Sequence, residues 1–178
     1  TDNTLKILKR LETQHERLRV LEAREKPEVW KGKTYAVQQL AEAAGGKYLY
    51  IVDADTKHNR EAVSWAVSQL EKQNLDAFSG MPTQITRTFA EKLFVPMVYL
   101  PIVFVPLPVF NGRWPRGLAF GVGQFFVFRK ECFFQLGGMH RVKEKITEDL
   151  AMSSLLKREG YRFRFLDTRG HVSCRMYG

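Results

Sequence analysis

Apolar side chains recur along this chain with two different periods, and the period changes from segment to segment. Leu5, Leu8 and Leu11 repeat at helical spacing and predict an amphipathic helix over 1–14, which Asp2 or Asn3 can cap. Leu18, Val20 and Leu21 predict a short strand. A charged loop follows, carrying Pro27 and the run Trp30-Lys31-Gly32-Lys33. Residues 34–44 predict a helix closed by Gly45-Gly46. Tyr48–Val52 is a continuous apolar run, as expected of a buried strand, and it ends directly in Asp53-Ala54-Asp55. Further helices are predicted over 61–73, 130–136 (ending at Gly137-Gly138) and 147–160, the last with Thr147 as N-cap and Gly160 as C-cap. Strands are predicted over 76–80, 124–129 and 161–166. Helices alternating with buried strands point to an α/β sandwich with a mainly parallel central sheet.

One stretch breaks the alternation. Residues 93–110 form an apolar run of 18 residues that contains Pro96, Pro101, Pro106 and Pro108. The length alone matches a membrane span, but four prolines are incompatible with a regular spanning helix. A broken helix or loop is expected instead, as a buried connection or as a segment lying at a membrane interface. With the basic, glycine-rich residues after it, 93–117 is expected to be an insertion in a single domain covering 1–178.

Composition narrows the class. The chain has 178 residues, enough for one domain with a real core, and at 44% hydrophobic it is not a disordered composition. A net charge of +9 favours anionic partners: nucleic acid, an anionic membrane surface or phosphorylated small molecules. Cys132 and Cys174 lie far apart without metal-ligand spacing, so a reducing compartment is expected. The polar start Thr-Asp-Asn-Thr does not resemble a secretory signal.

Several constellations can carry chemistry. Asp53 and Asp55 sit where a buried strand ends, the usual ligand position of an open α/β sheet, and their hard oxygens suit Mg²⁺ or Mn²⁺ bridging a diphosphate. The same pair also reads as a solvated turn. Thr147-Glu148-Asp149 is explained by helix capping and dipole complementarity alone, while a carboxylate there can also act as a general base. Lys31 and Lys33 flank Gly32 before a helix N-terminus, a phosphate cradle or a plain basic loop; the spacing is not that of a P-loop. His171 offers a metal ligand and Arg175 a bidentate phosphate contact, although each alone reads equally well as structural. Arg113 and Arg116 flank Trp114-Pro115 in a basic loop.

In order, these pieces resemble family 2 glycosyltransferases of the GT-A fold. The matching motifs are Thr1-Asp2-Asn3-Thr4, Lys31-Gly32-Lys33, Asp53-Ala54-Asp55-Thr56, the run from Gly123 through Phe128-Arg129-Lys130 to Gly137-Gly138, and Thr147-Glu148-Asp149. The prolines and the ending Cys174-Arg175-Met176-Tyr177 resemble the membrane-associated subgroup that glycosylates carotenoids, hopanoids or other lipids. The resemblance implies a nucleotide-sugar donor, expected to be a UDP-sugar, a lipid or glycan acceptor, inversion at the anomeric carbon, and a location at the cytoplasmic face of the membrane or in the cytoplasm. It implies that Asp53 and Asp55 hold Mg²⁺ or Mn²⁺ and the diphosphate, with Asp53 also near the donor ribose or sugar. Lys31 and Lys33 would lie near the nucleotide, and His171 would be a further metal ligand. Asp149 would be the base with Glu148 beside it, Gly137 and Gly138 would let backbone approach the acceptor, and Arg175 would lie near the diphosphate. Arg-Met-Tyr replaces the Gln-x-x-Arg-Trp of processive relatives, which argues against polymerisation. The family starts with a strand, a helix and a second strand ending in Asp-Asp-x-Ser. The resemblance therefore implies that this chain lacks that first unit and part of the donor pocket, and that by itself it transfers sugar weakly or not at all.

Two other classes compete. A haloacid-dehalogenase-like phosphatase also places Asp-x-Asp after a strand, but expects Thr or Val two residues beyond the second Asp, where this chain has Lys57. A non-enzymatic basic module docking on membranes or nucleic acid fits the charge, although no nucleic-acid motif is present and no nucleic-acid partner is expected.

Overall fold

The computed structural model describes residues 3–98, 107–112 and 118–175. Its centre is the most apolar strand, β5 (Phe125–Arg129), whose first four residues are all buried. Alternate side chains of a strand point to opposite faces. Phe126 and Phe128 stack on each other, with ring centroids 4.5 Å apart, in one core with Phe133, Met152, Leu156 and Phe163. Phe125 and Val127 enter a second core with Phe78, Leu70, Ala66 and Val172. A strand buried on both faces has to be apolar throughout, which accounts for the uninterrupted run.

The remaining elements follow from these two cores. In chain order they are α1 (Thr4–Gln14), α2 (Gly32–Ala43), β1 (Tyr48–Val52), β2 (Thr56–His58), α3 (Ala62–Lys72), β3 (Ala77–Met81), β4 (Thr83–Gln84), α4 (Phe89–Val98) and α5 (Leu107–Asn111). After β5 come α6 (Lys130–Gln135), a 3-10 turn (Gly138–Val142), α7 (Glu148–Arg158), β6 (Phe163–Asp167) and β7 (Val172–Cys174). Helix α3 buries Ala62, Ala66 and Leu70, one face at four-residue spacing, and supplies the second core. Residues from α2, α6 and α7 fill the first.

The main sheet has the order β1-β5-β3-β6. Strands β1, β3 and β6 share one direction, as expected of a mainly parallel sheet. However, β5 is inserted antiparallel between β1 and β3, so only β3 and β6 form a parallel ladder. The sheet is therefore mixed. Periodicity reports which face a side chain takes, not the direction of the neighbouring strand. A small second sheet, β2-β7-β4, lies beyond the end of β1. It aligns Thr56 with Cys174 and His58 with Val172.

Two local expectations need revision, the strand at 18–21 and the side-chain caps, while the helix expected over 1–14 forms as α1 (Thr4–Gln14). Residues 18–21 form no strand; they run beside α1, where the Glu12 carboxylate accepts the Val20 N–H at 2.6 Å. Helix α1 buries none of its residues, and Leu5 and Leu8 remain exposed. Thr147 and Asn3 precede their helices but make no side-chain cap hydrogen bond. Within the Pro-rich stretch α4 runs through Pro96 as far as Val98 and α5 covers Leu107–Asn111, while 99–106, where a break is expected, and 113–117 (with Arg113 and Arg116) lie outside the described residues. Thr1, Asp2, Met176 and Tyr177 lie outside them too. Among the described residues no helix is long and apolar enough to cross a membrane.

Candidate active site

Strand β1 ends at Val52, and the chain turns at once through Asp53-Ala54-Asp55. Thr56 closes this turn: its N–H and its hydroxyl both donate to the Asp53 carbonyl, at 3.2 and 2.7 Å. The Asp55 side chain is exposed, whereas Asp53 is partly covered. Lys33, in the first turn of α2, places its Nζ 3.0 Å from Asp53 Oδ1 and 2.9 Å from Glu148 Oε1. One ammonium thus joins Asp53 at the β1 end to Glu148 at the α7 N-terminus, 95 residues apart in sequence. Burial by itself would loosen the Lys33 proton, but its bonds to Glu148 and Asp53 outweigh that and the pKa is raised.

Asp149 lies beside this ion-paired group. Its Oδ2 accepts the Gly123 N–H at 2.8 Å and its Oδ1 the Leu150 N–H at 2.8 Å. Burial pushes its pKa up and the neighbouring Glu148 charge pushes the same way, against the two N–H bonds and Lys33; the net shift is upward. A carboxylate that holds its proton more tightly than usual is the stronger base once deprotonated.

Glycines make the approach possible. A Cβ at Gly123 would come within 2.7 Å of Lys33 Nζ and 3.3 Å of Glu148 Oε1, and one at Gly121 within 2.0 Å of Ser153 Oγ. Ser79 Oγ holds this loop on β3 by accepting the Val122 N–H at 2.8 Å. Sequence reading names Gly123 as the first residue of a family-like run but gives it no role at the site, and does not single out Gly121; the Gly-Val-Gly spacing just before a strand was the available signal. Glu91 was missed as well. Thr88 and Glu91 form a capping box at the start of α4, in which Glu91 N–H donates to Thr88 Oγ1 at 3.2 Å and the Glu91 carboxylate accepts the Thr88 N–H. Its other oxygen accepts from Arg175 Nη2 at 2.7 Å. The motif Thr88-x-x-Glu91 was legible, but the Arg175 partner was not.

Not every expected residue joins the cluster. Lys31 is exposed, and only Lys33 of the pair reaches the carboxylates. Gly137 and Gly138 both take positive φ; a Cβ on Gly138 would meet Gln38 Oε1 of α2 at 2.5 Å, and one on Gly137 would meet Arg141 Cγ at 3.0 Å. His171 stacks on Trp65 with centroids 4.4 Å apart, and its carbonyl accepts the Asn59 N–H. The β2–β7 register sets it four residues away from Asp55, because Cys174, not His171, lies beside the acidic turn. Among the described residues no three His, Cys, Asp or Glu side chains gather as a metal-holding group. Asp53 and Asp55 alone still fit Mg²⁺ or Mn²⁺, since such ions commonly take one or two carboxylates and complete their shell with phosphate oxygens and water.

A mixed α/β sheet with this acidic turn at the end of β1 is the GT-A glycosyltransferase fold. The crystal structure of S. aureus TarS in complex with UDP-GlcNAc superposes with a TM-score of 0.61 at 17% identity, covering 100% of this chain and 47% of that one. The TarS complex with UDP gives a TM-score of 0.58 at 16% identity, covering 99% and 48%. The chain thus spans about half the length of these structures, and at such identities the likeness establishes the fold alone. None of the curated proteins matches the chain. The family model described as Glycosyl transferase family 21 matches residues 1–171, and the chain belongs to that family. The resemblance to family 2 therefore identifies the class correctly, while the family that matches is 21. A glycosyltransferase family leaves the phosphatase and the non-enzymatic module without support.

Proposed function

We propose that this chain forms the catalytic face of an inverting transferase that moves a sugar from a nucleotide-diphosphate sugar, taken to be a UDP-sugar, to a hydroxyl on a lipid or glycan. The observation that carries this reading is the convergence of Asp53, Lys33, Glu148 and Asp149 around one point at the end of β1. TarS has been crystallised with UDP-GlcNAc and with UDP, which supports a nucleotide-sugar donor here.

Asp53 and Asp55 would hold Mg²⁺ or Mn²⁺, which when bound offsets the charge of the departing diphosphate. Lys33 keeps Asp53 and Glu148 in place and adds positive charge near the nucleotide. Asp149 takes the proton of the acceptor hydroxyl. The freed oxygen attacks the anomeric carbon from the face opposite the diphosphate, the carbon–diphosphate bond breaks, and configuration inverts. Arg175, which follows β7 beside the acidic turn, supplies charge to the diphosphate.

A lipid acceptor and a site at the cytoplasmic face of the membrane are favoured by α4, where Phe89, just before the Pro-rich run, and Leu93, Phe94 and Met97, at its start, are 82%, 53%, 59% and 53% exposed. Vesicle co-sedimentation checks this side: Phe94→Glu should reduce membrane binding, and unchanged binding would remove the support. The central test is calorimetry on the full-length protein with a panel of nucleotide sugars and Mn²⁺. Donor binding that falls at least about tenfold in Asp55→Ala is expected, a loss of about 1.4 kcal/mol. Binding of no nucleotide, or an Asp55→Ala variant equal to the parent, sinks the proposal.

A further inference from the structure

Three side chains outside the ion-paired cluster form a single chain of hydrogen bonds ending on the acidic turn. Tyr50 Oη lies 2.9 Å from His58 Nδ1, and His58 Nε2 lies 2.8 Å from Thr56 Oγ1. Thr56 Oγ1 in turn lies 2.7 Å from the Asp53 carbonyl oxygen. The proton positions follow from valence. A carbonyl has no proton, so Thr56 must donate its only hydroxyl proton to Asp53. Towards His58 the same oxygen can then only accept, so Nε2 carries the ring proton. Nδ1 of the neutral ring is then bare and accepts from the Tyr50 hydroxyl. Every bond points the same way, from Tyr50 to Asp53, and burial lowers the His58 pKa in support of the neutral ring.

The far end of the chain is anchored. The Tyr50 ring packs edge-on against Phe125 of β5, with centroids 5.1 Å apart at 90°. His58 sits on β2, opposite Val172 of β7. The relay thus ties the Asp53–Asp55 turn both to the central strand and to the second sheet. Neither Tyr50 nor His58 touches the carboxylates themselves.

We infer that Tyr50, His58 and Thr56 are positioning residues that hold the Asp53-Ala54-Asp55 turn in a binding-competent shape, through a neutral His58 protonated on Nε2. The functional half of this inference rests on the reading of that turn as the divalent-ion and diphosphate site. A loop held by a one-way relay loses little conformational freedom when it binds, and so binds more tightly.

The experiment combines nitrogen NMR of the imidazole, amide hydrogen exchange and Mn²⁺ calorimetry on the parent protein and on His58→Ala, His58→Gln and Thr56→Val. The parent should show Nε2 protonated and Nδ1 accepting. His58→Ala and Thr56→Val should speed exchange of the Thr56 amide, which bonds to Asp53, and weaken Mn²⁺ binding about tenfold. His58→Gln, which offers an N–H donor and an oxygen acceptor, should recover most of both. A proton on Nδ1 overturns the relay, as does a His58→Ala protein with parental Thr56 exchange and parental Mn²⁺ affinity. Equal behaviour of His58→Gln and His58→Ala also overturns it, because bulk alone would then explain the effect. Should the parent bind no Mn²⁺, the metal reading fails by itself, and the tautomer and the Thr56 exchange rate decide the relay.

Discussion

Asp149 is held by two backbone N–H groups and raised in pKa by burial and by Glu148. If it is the base, the transfer rate is full where it is deprotonated and falls as the pH drops through its folded-state pKa. That fall should begin at a higher pH than the ordinary aspartate value of 3.8. Asp149→Asn should slow transfer by about 10²- to 10⁴-fold while leaving donor binding near its parental value. A pH–rate profile and donor calorimetry on the variant check both statements. The stability consequence has the opposite sense to that of a salt-bridged acid. A raised folded pKa stabilises the fold below the unfolded pKa, and this contribution is lost as the pH rises through the folded one. Sequence reading placed Asp149 at a helix start, where capping was sufficient explanation. What singles it out is the Gly123 N–H, 26 residues away in sequence.

At the scale of elements, helix α2 is pinned from the inside. Gln38 is 4% exposed, its Oε1 accepts the Met139 N–H at 2.9 Å and its Nε2 donates to Glu42 at 2.9 Å. Removing the acceptor leaves the Met139 N–H buried and unpaired, which costs about 1–3 kcal/mol. Gln38→Ala should therefore lower the free energy of unfolding by that amount in a urea titration. Because α2 also carries Lys33, the variant should loosen the Lys33 bridge between Asp53 and Glu148. The helical period over 34–44 predicted this helix, but Gln38 looked like any polar residue. Its role appears only because Gly138, lacking a Cβ, lets the following turn approach the glutamine.

Over the whole molecule, two carboxylates tie distant parts of the chain together. Glu91 joins α4 to the end of β7 through Arg175, and Glu71 joins α3 to β5 through Arg129. The hydrogen bond from Arg175 holds Glu91 down at about 2, and that from Arg129 does the same for Glu71. Both folded pKa values lie below the unfolded value of 4.5. The stability they contribute is therefore present above 4.5 and is lost as the pH falls from there towards about 2. Glu91→Gln should make acid unfolding followed by circular dichroism less steep over that window, and an unchanged acid limb would contradict the assignment. By itself the sequence determined the order and type of most elements, because a helix or strand face is written in a local period of apolar residues. It also determined the order of the Lys-Gly-Lys, Asp-Ala-Asp and Thr-Glu-Asp motifs, because motifs are contiguous. Only the tertiary structure decided that β5 runs antiparallel inside the sheet, that Lys33 reaches both Asp53 and Glu148, that His171 stays with Trp65, and that Tyr50 and His58 brace the Asp53 turn. Strand direction and side-chain convergence are set by packing between residues far apart in sequence, and no local period encodes them. The Asp53-Ala54-Asp55 turn was legible as a motif; its shape depends on partners that only the folded chain brings to it.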